Sequence, residues 1–297
     1  MSDSVRIATR GSELALWQAN LVAALLPTPT EIVIVETEGD RSADRNLAEI
    51  GGQGVFVKEV QQKLLDSQVR LAVHSAKDLP SAIVGGLEVA AWLARADPRD
   101  VIVGSLLKDL PRGAHVGTSS TRRAAQLLAL RPDVEIEILR GNIRTRLKKG
   151  QRMDAIFVAA AALERLDLHP PVMEILEPEV MLPQVGQGAI AVECRSDDFE
   201  MLGLLASIND RDTQQEILAE RSFLQVFGTG CSLPIGGFAR AGEDGLMLYG
   251  MVAKSDGTRV LRAAQSGDEP IELGRSLAKN LIERGALELL SVAEPAE

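Results

Sequence analysis

Glu135-Ile136-Glu137-Ile138-Leu139-Arg140-Gly141-Asn142-Ile143-Arg144-Thr145-Arg146-Leu147-Lys148-Lys149, followed a few residues later by Ala155-Ile156-Phe157-Val158, holds the architecture in one stretch. Residues 135–139 predict a strand, 142–149 a helix and 154–158 a second, buried strand. A helix joining two strands implies parallel neighbours in a sheet covered on both faces. The unit extends outward: 101–103 reads as a strand, and 121–130 and 160–166 read as helices.

Toward the N-terminus the alternation continues. Val5–Thr9 reads as a strand, Ser12 as the N-cap of a helix that runs to Leu26, and Pro27 as its stop. Further strands are expected at 31–36, 71–73 and 87–94, with a helix over 56–65. The polar stretch 37–54 has no period and is long for a plain connection, which predicts a mobile lid. Downstream, the Pro-bearing residues 169–183 read as a connector and 189–194 as a buried strand. Beyond Asp210 the texture changes. A helix over 213–227, strands at 236–240, 246–253 and 259–265 with turn signals between them, and a helix over 271–284 predict an antiparallel α+β unit. The expected fold is therefore α/β, with two α/β units and a smaller α+β unit at the C-terminal end.

The 297 residues carry 42 acidic and 32 basic side chains, a net charge of -10. That total argues against non-specific binding to nucleic acid or to an anionic membrane. With aromatics at 3%, stacking platforms for single strands are also scarce. The charge is uneven, however. Residues 112–152 hold ten Lys/Arg against three acids, a local +7 that leaves -17 for the remainder. Two readings stand open: solvated helix faces, or an anion site inside an acidic protein. Two cysteines, Cys194 and Cys231, make no disulfide framework and fit a reducing compartment. No secretory h-region opens the chain, and the apolar run 155–163 is far short of the ~20 residues of a membrane span. A soluble, cytoplasmic protein with no nucleic-acid or membrane partner is the expectation.

Three segments share one arrangement, a strand end leading into a helix N-terminus beside arginine. They are Arg10-Gly11-Ser12, Gly117-Thr118-Ser119-Ser120-Thr121-Arg122-Arg123 and Arg140-Gly141-Asn142 with Arg144 and Arg146. Backbone N–H groups and guanidinium forks there suit carboxylate or phosphate; each segment also reads as an ordinary cap beside a surface arginine. His74-Ser75-Ala76-Lys77-Asp78-Leu79-Pro80 directly follows the strand at 71–73. Asp78 there is either a turn former or a cleft carboxylate able to stabilise cations and move protons. Gly186-Gln187-Gly188-Ala189-Ile190-Ala191 matches a dinucleotide fingerprint literally but precedes a strand, so a nucleotide site is rejected. The three histidines have no zinc-like spacing, and no metal is expected. Cys194 reads as buried and structural. Cys231, between Gly228-Thr229-Gly230 and Ser232-Leu233-Pro234-Ile235-Gly236-Gly237, is either a plain loop cysteine or an open thiol fit for covalent attachment.

Together, Arg6-Ile7-Ala8-Thr9-Arg10, Val73–Pro80, Gly117–Ser120 with Arg122-Arg123, Leu139–Asn142, Leu182–Ala189 and Gly230–Gly236 resemble the porphobilinogen deaminase (hydroxymethylbilane synthase) family along nearly the whole chain. The resemblance implies two lobes like those of type II periplasmic binding proteins and a third domain bearing the cysteine. The divisions are expected at 1–94 with 188–207, 95–187, and 208–297. It implies a monomeric transferase of tetrapyrrole and heme biosynthesis that adds four porphobilinogen molecules to a dipyrromethane cofactor, each losing ammonia, and releases the linear product with water. The cofactor would be joined by a thioether to Cys231. Asp78 would be catalytic. Arg10, Ser12, Gln18, Lys77, Thr118, Ser119, Ser120, Arg122, Arg123, Arg140, Arg146 and Arg165 would bind cofactor or substrate carboxylates. Residues 42–58 would form the mobile loop, with Phe56 and Lys58 at its helical end. The chain departs from the common pattern at Gln53, at Thr229, in the run Ala159–Ala162, and in the additional cation Arg144. A two-lobed anion-binding module without chemistry is the competing class, and ammonia release from porphobilinogen separates the two.

Overall fold

The structure is a computed structural model and describes residues 4–41, 54, 56–228, 233–242 and 245–290. The chain begins with β1 (Val5–Arg10), α1 (Glu13–Leu25), β2 (Thr30–Val35), α2 (Glu38–Arg41), α3 (Lys58–Leu65), β3 (Leu71–Ser75) and β4 (Leu87–Trp92). It continues with β5 (Asp100–Val103), β6 (His115–Gly117), α4 (Thr121–Leu130), β7 (Glu135–Glu137), α5 (Ile143–Gly150), β8 (Ala155–Ala159), α6 (Ala160–Arg165) and β9 (Met173–Leu176). Then come β10 (Ile190–Arg195), α7 (Phe199–Ala206), α8 (Arg211–Val226), β11 (Ile235–Gly242), β12 (Gly245–Ala253), β13 (Val260–Gly267), α9 (Pro270–Glu283) and α10 (Ala286–Leu290).

These strands form two five-stranded sheets, ordered β2-β1-β3-β10-β4 and β7-β6-β8-β5-β9, and a three-stranded antiparallel sheet β11-β12-β13. The two larger sheets are built alike. In each, three parallel strands are followed by a strand running the other way, β10 or β5, and then by an edge strand antiparallel to it. The expected wholly parallel sheets are thus corrected to mixed ones. The reason is connectivity: β5 comes directly from the edge of the first sheet and β10 from the edge of the second, so each enters its new sheet from the opposite end. The expected connector over 169–183 also contains a strand, β9, which pairs Met173–Leu176 with β5.

Both large sheets are covered on two faces. In the first, Ala19 and Val22 of α1 pack with Met201 and Leu205 of α7 on one side, while Val60 and Leu64 of α3 pack on the other. In the second, Leu127 of α4 joins one core and Leu163 of α6 the opposite one. In the third unit, α8 and α9 lie on the antiparallel sheet around the fully buried Phe223. Cys194 of β10 is buried in the first core, as expected, and burial pushes its thiol up to about 11. No helix among the described residues is long and apolar enough to cross a membrane.

Two segments, 93–99 and 177–189, join the lobes and run against each other. Ala96 N–H donates to Gly188 O at 3.2 Å, Leu93 N–H to Ile190 O at 3.1 Å, and Gln187 Nε2 to Pro98 O at 2.6 Å. A Cβ on Gly188 would come within 2.4 Å of Ala96 O, so this close crossing requires glycine. The third unit is tied to the crossing by Glu220. Its buried carboxylate accepts from Arg95 Nη1 at 2.6 Å, Gly186 N–H at 2.7 Å and Ala239 N–H at 2.8 Å. Every partner of this buried acid is a directed donor, which is the condition for burying one without a large penalty.

Candidate functional site

The loops at the carboxyl ends of the strands face a cleft of about 590 Å³ between the lobes, within the usual size of small-molecule sites. Short polar residues set the helix starts around it. Ser12 accepts from Ala15 N–H at 3.3 Å to cap α1, and Asn142 accepts from Thr145 N–H at 2.9 Å to cap α5. Ser120 caps α4 in the same way, through Arg123 N–H at 3.4 Å.

Ten of the expected residues share the cleft: Arg10, Ser12, Gln18, Phe56, Lys77, Asp78, Ser119, Arg123, Arg140 and Arg146. Ser120 and Arg122 lie beside it, in a small pocket that Lys77, Leu233 and Ile235 also line. Thus the α1 and α5 starts converge on the cleft while that of α4 is offset toward the third unit. Thr118 is buried, and its Oγ1 accepts from Ser120 N–H at 3.1 Å. Arg165 lies on α6 with its guanidinium 5.5 Å from the Trp17 ring centroid and donates Nη2–H to Gly188 O at 2.6 Å. Lys58 opens α3 on the surface. Cys231, Gln53, Thr229 and most of the loop 42–58 lie outside the described residues.

Several of these groups are already engaged. Arg10 pairs with Asp40 and stacks on Phe56, 4.1 Å from its centroid. Gln18 exchanges hydrogen bonds with Ser75 Oγ at 2.9 and 3.1 Å. Arg122 and Arg123 both grip Asp100, each at 2.6 Å, and Gln187 Nε2 adds a bond to the same carboxylate at 2.9 Å. Burial alone would raise the Asp100 carboxyl; the two arginines hold it well below the usual range. The sequence reading missed Asp100. Its signal was an acid opening the apolar strand 100–103, a position that requires a buried partner.

Other groups are left open. Arg122 Nε and Nη2, Arg140 Nη1 and Arg165 Nε are buried without a hydrogen-bond partner. Burial brings the Lys77 ammonium down to about 8, with Arg123 and Arg146 pushing the same way and Asp78 and Asp100 opposing. Arg146 falls to about 10, again mainly through burial, helped by Arg123. Arg165 falls to about 10 through burial. Unpaired buried donors are costly, and cations crowded until their charge is strained ask for an anion. Their spread over two lobes asks for one with several carboxylates. Asp78 sits among them, and no hydrogen bond or ion pair among the described residues engages it.

The family model "Porphobilinogen deaminase, dipyromethane cofactor binding domain" matches residues 5–203, and that of the C-terminal domain matches 214–283. The chain belongs to the porphobilinogen deaminase family. It is 44% identical to the porphobilinogen deaminase of Brevibacillus brevis, covering 96% of both chains. It is 46% identical to that of Syntrophobacter fumaroxidans, covering 98% of both. With that of Roseiflexus castenholzii the identity is 47%, over 98% of this chain and 100% of the relative. Membership in this family gives the unpartnered guanidinium nitrogens of Arg122, Arg140 and Arg165 a ligand class. A primer of two pyrroles, each with an acetate and a propionate, suits a cleft lined by Arg123, Arg140, Arg146 and Lys77 with an unpartnered Arg140 Nη1 among them.

Proposed function

We propose that this protein is a hydroxymethylbilane synthase, a transferase that condenses four porphobilinogen molecules, with loss of ammonia, onto a dipyrromethane primer and releases the tetrapyrrole with water. The observation that carries the reading is the partnerless buried Nη1 of Arg140 in the cleft that holds Asp78, joined by the unpartnered donors of Arg122 in the adjoining pocket and of Arg165 at the lobe junction. When bound, the primer supplies the free pyrrole α-carbon that attacks the activated substrate.

The chain's own groups do the rest. Arg140, Arg146, Lys77, Ser12 and Ser119 would hold ring carboxylates from the cleft walls, while Arg122 and Ser120 would hold them from the adjoining pocket toward the third unit. Arg123 and Thr118 would shape that wall, Arg165 would act at the lobe junction, and Arg10 and Gln18 at the outer end. Loss of ammonia from the aminomethyl group leaves a cation, and a second cationic stage follows attack by the α-carbon. Asp78, which lines the cleft without a partner among the described residues, would stabilise both and accept the proton that restores the aromatic ring.

We further propose the division 1–94 with 188–207, 95–187 and 208–297, thioether attachment at Cys231, and action as a cytoplasmic monomer. The adjoining pocket supports the attachment site, because Leu233, two residues past Cys231, lines it beside Arg122. Intact-protein mass spectrometry with an ammonia-release assay tests the whole. An excess mass of two linked pyrroles that Cys231→Ala removes, together with ammonia formed from porphobilinogen, is the expected result. An active protein of unmodified mass would overturn it.

A further inference from the structure

α1 of the first lobe packs against α6 of the second. Its Glu13 and Trp17 stand four residues apart and therefore share one helix face. An arginine from the other lobe holds each. Arg144 of α5 donates Nε–H and Nη2–H to the two Glu13 oxygens at 2.6 and 2.8 Å, and Arg165 covers Trp17. Glu13 and Arg144 both line the cleft, yet their side chains are 50% and 55% exposed. The pair stands between the site and solvent.

Local structure gives no reason for Arg144. It lies in the first turn of α5, where the helix dipole disfavours a cation, and that turn has no acid to offset it. Glu13, in the first turn of α1, is favoured there. The forked geometry that Arg144 offers Glu13 is the one it would offer any carboxylate. Exposed pairs of this kind are weak, which makes the contact exchangeable.

We propose that Glu13 is an internal competitor: its carboxylate occupies Arg144 across the outer end of the cleft until a carboxylate of the arriving pyrrole displaces it. Arg144 is thereby a positioning residue for substrate admission, and Glu13 sets the concentration at which admission occurs. The nature of the displacing ligand rests on the function proposed above. After exchange Arg144 remains paired and Glu13 is solvated by water, so little is lost except the contact between lobes.

The competitor model predicts opposite signs for the two partners. Glu13→Gln lowers the KM for porphobilinogen about two- to fivefold, whereas Arg144→Gln raises it by a similar factor, with the change falling on KM more than on kcat. The double variant matches Arg144→Gln, because no arginine remains for Glu13 to mask. A contact that only held the lobes together would move both single variants the same way. That outcome, or an unchanged KM in both, overturns the proposal. A second readout needs no turnover: Trp17, one turn from Glu13, reports by its fluorescence on titration with benzene-1,3,5-tricarboxylate. Tighter binding by Glu13→Gln than wild type, and weaker by Arg144→Gln, is expected. If that order holds while the wild type releases no ammonia from porphobilinogen, the function is wrong and the competitor stands; any other order overturns the competitor.

Discussion

The two lobes share one strand order but use their reversed strands differently. β10 carries the buried Glu193, met by His74 Nε2 at 3.1 Å and by Gln61 Nε2 at 2.9 and 3.0 Å. Its counterpart β5 carries the buried Asp100, met by two arginines and Gln187. In the first lobe the acid braces β3, the strand that leads to Asp78, and ties it to α3, which follows the loop. In the second it gathers permanent cations and fixes their positions. With the role proposed for Asp78, the same scaffold would provide a chemical lobe and an electrostatic one. The difference resides in which donors surround one buried carboxylate and in what the strand-end loops carry.

Removing the chemistry from the first lobe should have the largest effect. Asp78→Ala is expected to lose about 10²–10⁴-fold in turnover while keeping the covalent primer, as judged by kcat and intact mass. Turnover within a few fold of wild type would leave the lobes without the distinction drawn here. The second break concerns stability. Asp100→Asn leaves Arg122 and Arg123 crowded without their counterion and should cost about 3–5 kcal/mol in urea unfolding. Glu193→Gln, which keeps the shape facing His74 and Gln61 and loses no pair of permanently charged guanidinium contacts, should cost only about 1–3 kcal/mol. Equal costs would mean that the two acids play the same part.

The smallest effect is a pH dependence. Lys77 has its proton affinity depressed on folding, from 10.5 to about 8, so above pH 8 the unfolded chain binds more protons than the folded one. Stability therefore rises with pH in this window, because the strained cation is neutralised in the fold but still charged in the coil. Melting of the cofactor-free Cys231→Ala protein from pH 7.5 to 9 should show this gain relative to the same protein carrying Lys77→Met. A bound polycarboxylate should abolish it by restoring the Lys77 charge. Identical pH profiles for the two proteins would remove Lys77 from the strained set.

Much of this was legible in sequence because it is local. Ser12, Ser120 and Asn142 announce helix starts beside arginines, and all three act as caps. The apolar runs marked most strands. What escaped was non-local. Nothing in 87–103 says that the chain changes sheets between Trp92 and Asp100, so the strand direction was misread. β9 escaped because its alternation is inverted: Met173 and Ile175 are exposed on an edge strand while Leu176 points inward. Arg10, Arg123, Arg140 and Arg146 line one cleft, but a linear pattern cannot show which are spent. Asp40 for Arg10, Asp100 for Arg122 and Arg123, and Glu13 for Arg144 are all distant in sequence from their partners or on other elements.

The segment 177–189 that joins the lobes also touches the turn that bears Asp78. At Gly186, which has a φ of +77°, a Cβ would come within 2.9 Å of Ala76 C and Lys77 N. The connecting segment and the Asp78 turn are in backbone contact, like an axle resting against the tool it carries. Swinging one lobe would not move this tool away from the pivot. If Asp78 acts as proposed, each added ring would be advanced past it, with the slack taken up at the far rim, where α1 meets α5 and α6.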